Sequence, residues 1–165
     1  MRRRPGTGTA GASSPKTPDP HRAALALLAR RDFACGELAQ RLERAGHPAA
    51  AVAAVIADLR AQRLLDDARF ATQYVAYHAD RGQGPRRIAV DLGSRGVAPG
   101  LIEAALAGPD WAALARQVRS RRFGATPPAS WAEKAKQGRF LQYRGFSSDH
   151  VRSALGPDFE LEDSP

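Results

Sequence analysis

Apolar residues recur along this chain at helical rather than strand spacing. Leu25, Leu27 and Leu28 mark a first helix over His21–Arg31, broken by Asp32-Phe33-Ala34. Leu38, Ala39 and Leu42 share one face of a second helix over Cys35–Ala45. After Gly46-His47, Pro48 starts a third, carrying Val52, Val55, Ile56 and Leu59. Asp66 then suits an N-cap, with Leu65 and Phe70 placed as a hydrophobic staple. That helix runs through Tyr74, Val75 and Tyr77 toward Arg81, where Gly82 and Gly84 end it. Pro85 opens the next at its first position, with Ile88, Ala89 and Leu92 inward. Pro99–Ala107 follows, with Leu101, Ile102, Ala105 and Leu106. Trp111, Leu114, Ala115 and Val118 make an i, i+3, i+4, i+7 stripe. Beyond a loop at 124–128, Ser130–Arg144 reads as one helix or as one broken at Gly138. Ser147 or Ser148 caps a last helix through Val151, Ala154 and Leu155.

These segments repeat. Leu42-x-x-Ala45-Gly46, Leu92-x-x-Arg95-Gly96 and Leu141-x-x-Arg144-Gly145 end three helices alike. Six residues after each glycine stand Val52, Ile102 and Val151; ten after stand Ile56, Leu106 and Leu155. A supersecondary unit found three times predicts an all-α fold, an elongated curved array of three tandem three-helix repeats. The units are 21–63, 64–108 and 109–156. A disordered basic arm at 1–20 precedes them and an acidic tail at 157–165 follows. The arm has almost nothing apolar to bury and serves either as an electrostatic tether or as nothing at all.

Composition narrows the function. The 165 residues carry a net charge of +8, and residues 109–156 hold nine Arg and Lys against three acidic residues. Such a balance favours nucleic acid or acidic surfaces. The single cysteine, Cys35, excludes an internal disulfide and a cysteine metal cluster. No apolar run reaches the ~20 residues of a membrane span, and no apolar segment follows the basic Met1–Arg4 to make a signal peptide. The expected location is the cytoplasm and the expected state a monomer.

Catalysis finds little support. His21, His47, His78 and His150 lack metal spacing or a partnered nucleophile, and Asp66-Asp67 is better explained by capping than by metal. No catalytic residue, metal or cofactor is expected. Base reading by a helix-turn-helix needs polar side chains on its second helix. The first two candidates offer mainly alanines, and only Ser148, Asp149, His150 and Arg152 of the third have the chemistry. Arg81, Arg86 and Arg87 surround the helix start at Gly84-Pro85, where an anion would meet free N–H groups and guanidinium groups together. The alternative is three solvated surface arginines. In the third unit Arg116 and Arg119 lie opposite Trp111 and Val118. Arg121 and Arg122 flank the stripe's end, and Lys134, Lys136, Arg139 and Arg144 extend the charge. With Arg95, the candidate polyanion-binding set is Arg81, Arg86, Arg87, Arg95, Arg116, Arg119, Arg122, Lys134, Lys136, Arg139 and Arg144. Phe140, Tyr143 and Phe146 stand among these cations and can stack on bases, although Phe140 and Phe146 read better as core.

From about His21 to Gly156 the chain resembles the RecX family of bacterial recombination regulators. The resemblance rests on Leu65-Asp66-Asp67-x-x-Phe70-Ala71, Gly84-Pro85-x-Arg87-Ile88 and Arg139-Phe140-Leu141-x-x-Arg144-Gly145-Phe146. It rests also on Ala24-Leu25-x-Leu27-Leu28, Glu37-Leu38-x-x-x-Leu42 and Leu92-x-x-x-Gly96. Two positions depart from the family pattern, Ala34 replacing a capping Ser and Arg63 a turn Gly, and Gln137 sits where the first two repeats place Leu38 and Ile88. The resemblance implies a non-enzymatic modulator of the RecA recombinase. Such a protein lies in the groove of the RecA–DNA filament or caps it, suppresses ATPase and strand exchange, and touches single- or double-stranded DNA weakly and without sequence preference. It would thereby tune recombinational repair and the SOS response.

Overall fold

The computed structural model describes residues 19–156; the basic arm before Asp19 and the acidic tail after Gly156 lie outside it. Nine α-helices and no strands occur among the described residues. The first three are α1 (Pro20–Leu28), α2 (Cys35–Arg44) and α3 (Ala49–Ala61). Next come α4 (Asp67–Asp80), α5 (Pro85–Ser94) and α6 (Pro99–Leu106). The last are α7 (Trp111–Phe123), α8 (Trp131–Tyr143) and α9 (Ser148–Leu155). Asp19 and Pro20, assigned above to the arm, are instead the N-cap and first residue of α1. Gly138 does not break α8, which runs unbroken from its Ser130 cap.

The repeat is visible in the hydrogen bonds. Gly46, Gly96 and Gly145 adopt φ of 94°, 80° and 93°. At each, the following residue donates to the leucine five positions back: His47 to Leu42 and Val97 to Leu92 at 3.2 Å, Phe146 to Leu141 at 3.1 Å. Each glycine N–H also closes the inner bond of a Schellman motif, onto Glu43, Gly93 and Gln142. The shared Leu-x-x-x-Gly signature is therefore one helix ending made three times.

Helix-on-helix packing stays almost wholly within the repeats, with α7 against α9, α4 against α6 and α2 against α3 the most extensive. The repeats meet end to end instead. The start of α5 abuts the end of α8, where the Gly84 and Arg86 N–H groups donate to the Arg144 and Gly145 carbonyls at 2.7 and 3.0 Å. A Cβ on Gly84 would lie 2.3 Å from the Gly145 carbonyl carbon, so only glycine allows this approach. The start of α2 likewise meets the end of α5, where a Cβ on Gly36 would lie 2.8 Å from the Arg95 oxygen.

Two apolar cores result. One is built from Ala24, Phe33, Leu38, Leu42, Val52 and Leu59 of the first repeat, together with Leu65. The other takes in Ala34 of the first repeat and runs through the second and third without interruption, from Phe70 and Val75 through Ile88 and Trp111 to Leu141 and Phe146. Leu65 and Phe70 thus fall into different cores, and the expected staple does not form as a single pair. Its two residues anchor the linker into the repeats on either side.

Candidate polyanion interface

The first departure from the family pattern is repaired across a repeat boundary. Ala34 gives α2 no side-chain cap, but the Cys35 N–H donates to the Asp67 carboxylate at 2.8 Å. Asp66 caps its own helix through the Arg69 N–H at 2.9 Å, a bond that holds its carboxyl below the ordinary range. The Asp-Asp pair is therefore two caps for two helices. Burial, reinforced by Asp67, pushes the Cys35 thiol up to about 11, so it stays protonated and unreactive at neutral pH.

The candidate cations separate by surroundings. Arg81, Arg86, Arg87, Arg116, Arg122, Lys136 and Arg139 are exposed; Arg95, Lys134 and Arg144 are half-buried. Arg116 donates to the Ser153 hydroxyl at 2.6 Å, tying α7 to α9. Arg95 is committed to the junction of the first two repeats, 3.6 Å from Glu37 and 5.1 Å above the Tyr74 ring. Arg144 belongs to the other junction and donates to the Arg81 carbonyl at 3.2 Å.

Arg119 does not face solvent. Only 6% exposed, it donates to the carbonyls of Gly124, Ala125 and Thr126 at 3.2–3.3 Å and to Gln137 Oε1 at 3.3 Å. It holds the α7–α8 loop and is not available to a polyanion. Its partner is Gln137, which sits where the first two repeats place Leu38 and Ile88 and is itself 7% exposed. A buried guanidinium needs acceptors on its N–H fork, and an apolar residue at 137 would supply none.

The helix start at Gly84-Pro85 also differs from expectation. Two of the N–H groups reserved for an anion are already bonded to the end of α8. Arg86 and Arg87 remain exposed cations beside the junction, without a backbone anion nest between them.

Three of the four base-reading candidates are engaged with neighbours in the last repeat. His150 accepts the Ser147 N–H in a capping box, with burial as the chief cause of its lowered pKa, and Arg152 is paired with Asp149. Phe146 is buried and Phe140 packs edge-on against Phe123 at 5.3 Å. Tyr143, 79% exposed, is the aromatic of the three left for stacking.

The structure brings Arg81, Arg122 and Arg144 together with Arg121, which the candidate set omits. They line a cleft of about 220 Å³ where α4, α7 and α8 end. Arg121 stood out in the sequence only as one of four arginines in the last turns of α7. That α4 would end beside it was not legible.

The sequence matches the RecX family domain by domain: the first three-helix domain over residues 21–59, the second over 66–106 and the third over 110–155. It is 50% identical over 147 residues to a regulatory protein RecX of Halorhodospira halophila, covering 88% of this chain and 89% of that one. It is 41% identical over 136 residues to a regulatory protein RecX of Ectopseudomonas mendocina, covering 81% and 91%. The fold superimposes on the crystal structure of RecX from Lactobacillus salivarius with a TM-score of 0.73 at 20% identity, over 84% of this chain and 94% of that one.

Proposed function

This chain belongs to the RecX family, and from that premise we propose that it is a non-enzymatic regulator that binds the RecA–DNA filament and restrains RecA ATPase and strand exchange. The observation that carries the reading is the set of three family domains, in order, on repeats joined end to end. Units joined through their helix ends leave long faces open for a polymeric partner. Exposed Arg86, Arg87, Lys136 and Arg139 offer cations to DNA phosphates or acidic protein surface. The site of action is the cytoplasm, where that filament assembles.

The test is titration of RecA's DNA-dependent ATPase. Inhibition should develop as the protein approaches the filament's concentration, or well below it if filament ends are capped. Arg86→Ala with Arg87→Ala should weaken inhibition severalfold at unchanged helicity by circular dichroism. Full ATPase activity at a molar excess of the protein would reject the reading. The excess of cations in the third repeat favours one second reading, DNA binding independent of RecA. If about six cations met duplex phosphates, affinity would fall roughly 10³-fold between 50 and 200 mM salt. Tight binding with that slope, and no effect on RecA, would select it.

A further inference from the structure

We propose that the arginine cleft where α4, α7 and α8 end is a binding site for a phosphodiester chain, gripping one or two adjacent phosphates of a nucleic-acid strand between the second and third repeats.

Four arginines from three helix ends line it: Arg81 after α4, Arg121 and Arg122 in the last turn of α7, and Arg144 after α8. None of them is a partner in the ion pairs formed among the described residues, and Asp80 is the one carboxylate on the rim. Arginines at helix C-termini are ordinarily explained by the helix dipole. That accounts for Arg81 on α4 and for Arg121 and Arg122 on α7, each taken alone. It does not account for their sharing one cavity with Arg144, because like charges gathered around a common space repel.

Three of the four are held in place by contacts that leave their charge unneutralised. Arg81 stacks on Tyr77 at 3.6 Å, Arg144 lies 5.4 Å from the Phe140 ring, and Arg122 lies 5.6 Å from the Phe123 ring. Arg144 is fixed further by its bond to the Arg81 carbonyl. Guanidinium groups stacked on rings keep their N–H edges for other acceptors, and those edges match phosphate oxygens.

The cleft is small, about 220 Å³, below the ~300 Å³ at which pockets for drug-sized ligands begin, and its size suits one or two phosphates. Tyr77, exposed beneath Arg81, and Tyr143, exposed and next to Arg144 in the chain, are rings on which unpaired bases can stack. They favour a strand over a free polyphosphate. The proposal deepens the filament reading by naming the chemical group that the second and third repeats hold, yet its test needs no RecA.

The experiment measures binding of the full chain to a fluorescein-labelled 20-nucleotide single strand by anisotropy, between 50 and 200 mM salt. Arg121→Ala with Arg122→Ala should weaken binding about tenfold. It should also flatten the log–log salt dependence by roughly 1.4, the value for two single-strand phosphate contacts. Arg41→Ala with Arg44→Ala removes the same charge from exposed positions of α2 and should change affinity less than twofold. Sodium tripolyphosphate is the competing probe. Weak competition assigns the cleft to the strand, whereas competition tighter than the oligonucleotide, lost in the α7 variant, assigns the same phosphate chemistry to a free polyphosphate. An unchanged salt slope, or an equal loss in the α2 control, overturns the proposal. The cleft stands or falls on these measurements, and the filament reading on the ATPase titration.

Discussion

Arg63 is a residue whose identity and backbone disagree. It closes the turn after α3 at φ 58°, the one non-glycine left-handed residue among those described. Behind it, Leu64 and Leu65 both donate to the Leu59 carbonyl, and Leu65 drops into the first core. The turn needs the left-handed conformation, and an L-residue there costs roughly 1–2 kcal/mol. Glycine removes that cost but gains freedom in the unfolded chain, worth roughly 0.5–1 kcal/mol. Arg63→Gly should therefore stabilise the protein by about 0.5–1 kcal/mol, read as a higher urea midpoint at unchanged m-value. A lower midpoint would mean that the Arg63 side chain contributes something its exposed position does not reveal. The other unusual residues were legible as anomalies but not as solutions. Ala34 signalled a missing cap and Gln137 a polar residue in an apolar place. The groups that resolve them, Asp67 and Arg119, stand 32 residues beyond Cys35 and 18 before Gln137. Arg119 is placed above as lying opposite Trp111, but at 100° per residue it stands beside Ala115 on the flank of the apolar stripe, where the loop after α7 covers it.

Helices and their endings were more legible, since they are local. Cap residues, the first-turn prolines and the Leu-x-x-x-Gly endings are read within a few positions, and the structure forms the helices they mark. What the ends do next is not local. The carbonyls of Arg144, which caps α8, and of Gly145 beyond it accept the Gly84 and Arg86 amides at the start of α5, so the ending of one helix satisfies free amides of the other. The same amides, viewed within 84–87 alone, resemble a free anion site, because their partners lie nearly sixty residues away. Gly84 is the element on which this joint depends. A methyl group there meets backbone rather than a side chain that can swing aside. Gly84→Ala should thus cost at least about 2 kcal/mol, within the range for overpacking a close contact. Gly93→Ala, in the same helix with nothing near its Cβ, should instead stabilise by about 0.8–1 kcal/mol from helix propensity. Thermal unfolding followed at 222 nm checks both. Equal effects at the two positions would mean that the joint between α8 and α5 contributes nothing.

Across the whole molecule the three units match as sequence but not as thermodynamic partners. In a linear array, stability is approximately the sum of unit terms and neighbour terms, and the two neighbour terms here differ. The second and third repeats share one core and two backbone hydrogen bonds. The first has its own core, joined to the rest by Ala34, which is buried in the shared core, and by the Asp67 cap on α2, the Glu37–Arg95 contact and the close approach of Gly36 to Gly96. A glycine-anchored repeat pattern cannot reveal this, because it marks how each unit ends and not how far apolar surface continues past the end. Regions held by less shared apolar contact open at lower free energy than the global transition. Native-state hydrogen exchange under increasing denaturant should therefore show Leu42, Val52 and Leu59 opening together below the isotherm that Val75, Ile88 and Leu141 follow. Asp67→Ala should lower the first group further, by about 1 kcal/mol for a lost cap, and leave the second group within error. If all six amides merge into one isotherm, the boundary between the first and second repeats carries as much coupling as the shared core, and the two-body division is wrong. If they separate, the first repeat can yield while the arginine cleft between the other two keeps its shape.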